Sequence, residues 1–71
     1  MTARQTTFKL LSMYKKGDIF TGHGLMRKVY IRTGKYLYPA TALRYLRIYR
    51  KESGRRIVNI DKAKSVYQMV D

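Results

Sequence analysis

No cysteine occurs in this chain, so neither a disulfide framework nor a thiolate metal site can hold it together, and apolar and aromatic side chains must do that work. Acids are scarce as well. Four Asp and Glu stand against sixteen Lys and Arg, a formal net charge of +12, more than solubility calls for and the electrostatic footprint of a polyanion binder. Nucleic acids and anionic membrane surfaces both qualify. No apolar run approaches the roughly 20 residues that cross a bilayer, and no stretch joins a basic start, an apolar core and a small-residue cleavage site. A soluble intracellular protein, cytoplasmic or nucleoid-associated, is therefore expected, without a membrane partner.

Catalytic groups are missing too. The one histidine, His23, lies between two glycines with no carboxylate cluster nearby, which argues against metal ligation and general-base chemistry. Asp18, Glu52, Asp61 and Asp71 are scattered rather than paired, and no glycine-rich loop between a strand and a helix cradles a phosphate. An enzyme, a cofactor and a small-molecule ligand are all unexpected. With 71 residues the chain is one domain whose folding buries only about 60% of the surface its unfolded form exposes. Such a core leaves no slack for a deep pocket.

What is present reads as helices followed by a hairpin. Leu10 and Tyr14, with Phe8 and Leu11, recur at three- and four-residue spacing, predicting an amphipathic helix over Thr2 to Lys16 closed by Gly17. "GDIFTG" is too short for a helix and suits an extended crossing, after which Thr21 can cap a second helix, Gly22 to Thr33. Leu25, Met26, Val29 and Tyr30 share one face of it, and Gly34 supplies the stop. Pro39 fits the first turn of a third helix and pushes Tyr38 into an extended conformation. At about 100° per residue, Ala42, Leu43, Leu46 and Tyr49 fall on one side of that helix. Thr41, Arg44, Ile48 and Lys51 fall on the other, with Tyr45 and Arg47 at the flanks. The leucines are expected to fold the protein and the arginines to face outward. Beyond Gly54, "RRIVNI" and "SVYQMV" are β-branched and separated by the polar "DKAK", a hairpin with a four-residue loop.

This order resembles the winged helix-turn-helix family of DNA-binding domains over essentially the whole chain. "TGHGLMRKVYIRTGKYLYPATALRYLR" looks like the helix-turn-helix and "RRIVNIDKAKSVYQMV" like the wing. Thr41, Ala42, Arg44, Tyr45 and Leu46 stand in the threonine, small-apolar, arginine, aromatic, leucine pattern that such recognition helices often show. The resemblance implies an α+β fold, a three-helix bundle with a C-terminal β-hairpin wing, forming a single DNA-binding domain over residues 1–71. It also implies that helix three enters the major groove of double-stranded DNA. The link "GKYLYP" is longer than the turn of three or four residues in the tightest units.

On that footing, Thr41, Arg44, Tyr45 and Ile48 are the candidate base contacts. Arg44 suits a bidentate pair with guanine O6 and N7, while Thr41 and Ile48 suit thymine methyls. Arg27, Lys28, Lys35, Tyr38, Arg47, Arg50 and Lys51 are candidate phosphate contacts. Arg55 and Arg56 at the base of the wing, and Lys62 and Lys64 near its tip, are set to reach the adjacent minor groove or its phosphates. Tyr36 and Tyr38 point the same way if their segment is extended, either onto the core or towards a phosphate. Seven tyrosines would also suit base stacking on a single strand, but Tyr14, Tyr30, Tyr49 and Tyr67 sit at apolar positions of predicted elements, leaving few for a platform. The expected role is a small transcriptional regulator or an accessory factor of replication or recombination, of the kind compact genomes such as phages and mobile elements carry, with a homodimer implied if the site is a palindrome. An RNA-binding or ribosome-associated basic protein is the first alternative. A winged-helix domain that binds an acidic protein partner is the second.

Overall fold

The computed structural model describes residues 2–71, and their elements run α1 (Ala3–Met13), β1 (Ile19–Thr21), α2 (Gly22–Thr33), α3 (Pro39–Ser53), β2 (Ile57–Asp61) and β3 (Val66–Met69). α1 opens with a capping box: the Thr2 hydroxyl accepts from the Gln5 N–H at 3.1 Å, and the Gln5 side chain accepts from the Thr2 N–H at 3.0 Å, satisfying two otherwise orphan donors. The helix stops at Met13, three residues before the expected Lys16. Tyr14 is extended there, which lets its ring stack on Phe20 of β1 at 4.6 Å and 8°. Gly17 therefore belongs to the following turn and does not close the helix. That turn is held by the Asp18 carboxylate, which accepts from the Lys15 N–H at 2.7 Å.

Thr21 caps α2 as expected, its hydroxyl accepting from the Gly24 N–H at 2.9 Å. A Cβ on residue 24 would lie 2.9 Å from that same hydroxyl. The glycine that weakens the helix on paper is thus what lets the cap approach. α2 and α3 end at Gly34 and Gly54, both left-handed, and Pro39 occupies the first turn of α3.

The sheet is antiparallel in the order β1-β3-β2, so the crossing between the first two helices is a true strand, paired with the end of the chain. Phe20 lies opposite Tyr67, and Met69 opposite Ile57, with the Phe20 and Tyr67 rings stacked at 5.5 Å. These four side chains meet Leu11, Leu25, Val29, Leu46 and Tyr49 in one core. The fold is α+β and winged-helix-like in layout, three helices followed by a C-terminal hairpin. No helix among the described residues is long and apolar enough to cross a membrane.

Two apolar assignments differ from expectation, and one core residue was not anticipated. Leu43 and Tyr30, placed on core faces by helical spacing, are 48% and 51% exposed. Both stand at the edge of an apolar stripe whose centre alone is covered. Leu37, inside the "GKYLYP" link, is only 5% exposed and pins the connection between α2 and α3 to the core.

Candidate nucleic-acid interface

Pro39 and the αL cap at Gly54 define a rigid α3 of 15 residues. Ala42, Leu46 and Tyr49 seat it on the core, leaving Arg44, Arg47 and Lys51 along its outer face, with Arg50 beside them. Thr41 and Ile48 are half-buried on one flank. Tyr45 is half-buried too, its ring edge-on to Phe8 of α1 at 6.5 Å. The ring thus packs against the helix bundle and is not presented on the outer face where a base contact would need it.

The other flank of α3 faces the wing. Pro39, Leu43 and Leu46 share a groove of about 210 Å³ with Ala63, Lys64 and Ser65 of the β2–β3 loop, floored by Leu25 and Met26. The loop is not free to swing away from it. Its Ser65 carbonyl accepts from the Gly22 N–H at 2.9 Å, which ties the wing tip to the start of α2. The Asp61 carboxylate accepts from the Lys64 N–H at 3.2 Å and shapes the turn.

The charges on these surfaces are uncompensated. Among the described residues the ion pairs are Arg4 with Glu52 at 3.7 Å and Arg56 with Asp71 at 3.3 Å, while Asp18 and Asp61 bond backbone N–H groups. Arg44, Arg47, Arg50, Lys51, Lys62 and Lys64 face solvent without a carboxylate. Their mutual repulsion is a standing cost that an anionic partner relieves.

Other predicted contacts lie elsewhere. Arg55, expected at the base of the wing as a DNA ligand, turns inward: its guanidinium donates to the carbonyls of Tyr14 at 2.7 Å, Leu11 at 3.1 Å and Asp71 at 3.0 Å, and to the Tyr49 hydroxyl at 3.1 Å. At the end of α1 the Leu11 carbonyl accepts only a long bond from the Tyr14 N–H, at 3.3 Å, and Arg55 supplies a further donor there and one to the Tyr14 carbonyl. Arg56 is exposed, and its backbone N–H and guanidinium both bond the Asp71 carboxylate. The backbone N–H of Arg56, followed by its side chain and the charges of Arg56 and Arg55, holds the Asp71 carboxyl below its ordinary value. Lys28 sits 5.5 Å over the Tyr14 ring, in the α1–α2 groove with Met13 and Ile31, apart from α3. Arg27 and Lys35 are exposed around the α2–α3 connection.

Tyr36 and Tyr38 are not in the core. They are 59% and 71% exposed, edge to face at 5.7 Å and 84°, and Leu37 between them takes the buried position. Comparison of the chain with models of protein families, with curated proteins and with solved structures finds no match.

Proposed function

We propose that this chain is a winged helix-turn-helix domain that binds double-stranded DNA, with α3 in the major groove and the hairpin loop on the adjoining backbone or minor groove. The observation that carries the reading is the shared groove, in which the wing tip and the first half of α3 lie side by side with uncompensated cations on both. A helix of this length spans about 22 Å, so only its N-terminal part meets base edges and its far end is left to the phosphates. Arg44 falls in the first role, Arg47, Arg50 and Lys51 in the second, and Arg27, Lys35 and the hydroxyl of Tyr38 near the backbone at the helix start. A role as a small transcriptional regulator or as an accessory factor of replication or recombination follows from this reading. Competition between duplex DNA and structured RNA at matched salt tests it; a clear preference for RNA would replace it with the ribosome-associated alternative. Selection from a random duplex pool would then return the site, and a palindromic product would make the binding species a two-fold dimer.

Two variants separate the parts of this interface. Lys62→Ala with Lys64→Ala should weaken binding to every duplex by a similar factor, with sequence preference kept and the salt slope reduced by about two units. A changed site preference at nearly constant affinity, measured by repeating the selection, would mean that the wing reads bases. Leu43, exposed at the mouth of the groove, is suited to the C5-methyl group of thymine. Replacing that thymine by uracil, which deletes the methyl, should cost the parent about fourfold in affinity and should cost Leu43→Ala nothing. Equal losses in the two proteins would remove Leu43 from the contact.

A further inference from the structure

We propose that the surface built by Tyr30, Tyr36 and Tyr38 is a second nucleic-acid site, which stacks an unpaired nucleotide adjoining the duplex; the proposal rests on the DNA-binding reading above. Three of the chain's seven tyrosines gather here at 51%, 59% and 71% exposure. A domain with so small a core gains nothing in stability by leaving three rings in water. The display is rigid. Leu37, 5% exposed, anchors the connection between two rings that point outward on either side of it, the alternation of an extended segment. None of the three hydroxyls hydrogen-bonds to another group among the described residues, so nothing within the domain fixes the rings by their polar ends.

The shape suits a flat, apolar ligand. Tyr30 and Tyr36 wall a groove of about 290 Å³ with Met26, Arg27 and His23, open enough to admit one base against a ring face. Its charge selects the ligand's backbone. Arg27 lines the groove and Lys35 precedes Tyr36, whereas the four acids of the chain lie on the β1 approach, the end of α3, the wing and the segment after β3. Aromatic faces beside uncompensated cations are the means by which proteins hold single-stranded nucleic acid without reading its sequence. Position completes the case. His23 and Met26 line both this groove and the one between α3 and the wing, so the two sites are neighbours across one turn of α2. A strand leaving a duplex held by α3 needs to pass only that turn to reach the tyrosines. The preferred target is then a duplex with a single-stranded extension, such as a fork or a resected end.

The test compares a blunt duplex, the same duplex with a short single-stranded tail, and one whose tail is abasic, at one salt concentration. The abasic tail carries the added phosphates without the bases. The base-bearing tail should tighten binding about tenfold beyond the abasic one. Tyr36→Ala should abolish that gain while leaving blunt-duplex affinity within twofold, and Tyr36→Phe should keep it, because stacking needs the ring and not the hydroxyl. Tyr30→Ala, at a 51% exposed ring of the same groove, is a second variant with the same expected direction. Equal gains from the two tails, an unaltered gain in both alanine variants, or its loss in Tyr36→Phe would overturn the proposal. Failure of the blunt duplex to bind at low salt is a distinct result, which overturns the DNA reading itself and the present inference with it.

Discussion

Replacing Arg55 with alanine should lower the unfolding free energy by about 2–4 kcal/mol, the loss of several charge-assisted hydrogen bonds together with the partial orphaning of the carbonyls they satisfy. A domain of this size has roughly 4–11 kcal/mol in all, so the variant should lose a large part of its stability and more than about 10 °C of Tm. The reason lies in what the guanidinium joins. Leu11 and Tyr14 close α1, Tyr49 belongs to α3, and Asp71 follows the central strand. One planar cation with five donors reaches all four. Arg55→Lys should recover little of the loss, since a single ammonium cannot span these acceptors. Arg56→Ala, at an exposed ion pair, should change stability by under about 0.5 kcal/mol. Thermal and urea unfolding of the three variants decide the matter. An unchanged Tm with weakened DNA binding in Arg55→Ala would return Arg55 to the wing and to the role its place in the sequence suggests.

Arg44→Ala should cost about 1–3 kcal/mol on the best duplex site and much less on random duplex, relaxing specificity at one base pair. Arg44 stands on the outer face of α3, in its first half, where the proposed docking would bring the groove floor within reach. Lys51 lies on the same face about two turns later, where, in the proposed docking, the helix axis would have left the floor and phosphates would be nearer. Lys51→Ala should accordingly weaken specific and random duplexes alike and lower the salt slope by about one unit. Salt titrations of both variants on both duplexes give the comparison. Should Arg44→Ala lose affinity equally on the two, α3 would be an electrostatic face and the claim of sequence readout through it would fail.

Most of the element order was legible in the chain because its signals are local. Thr21, Gly34, Pro39 and Gly54 mark helix ends through backbone chemistry that needs no partner, and the β-branched runs on either side of "DKAK" mark the hairpin. What was illegible depends on distant partners. α1 ends early because Tyr14 is taken up by Phe20, and Leu43 is bare because no element covers that edge of α3. At the candidate site, spacing put Arg44 and Lys51 outside as the structure does, but it set Arg47 at a flank and Thr41 and Ile48 outside, whereas Arg47 is exposed and the other two are half-buried. It also counted Arg55 among the wing cations because charge alone does not show which carbonyls need a donor nearby. Of the exposed tyrosines, Tyr30 was assigned to the core and Tyr36 and Tyr38 were left between the core and a phosphate, for a similar reason. Tyr30 has helical core spacing, and only the burial of Leu37 shows which of its neighbours the link turns outward.

β3 is the last of the six elements and the middle strand of the sheet. Its Met69 is wholly buried, and its Tyr67 lies opposite Phe20, which comes from before α2. In chain order α1, α2 and α3 all precede the strand that completes the sheet over them, and until β3 is available β1 has no strand to pair with. The long-range pairings of β1 and of β2 both require β3. A chain halted before Tyr67 lacks the ladder of both outer strands, the wing and most of the cover for the helices. Such a fragment is expected to meet proteases as an unfolded polycation and not to compete for the target of the finished domain.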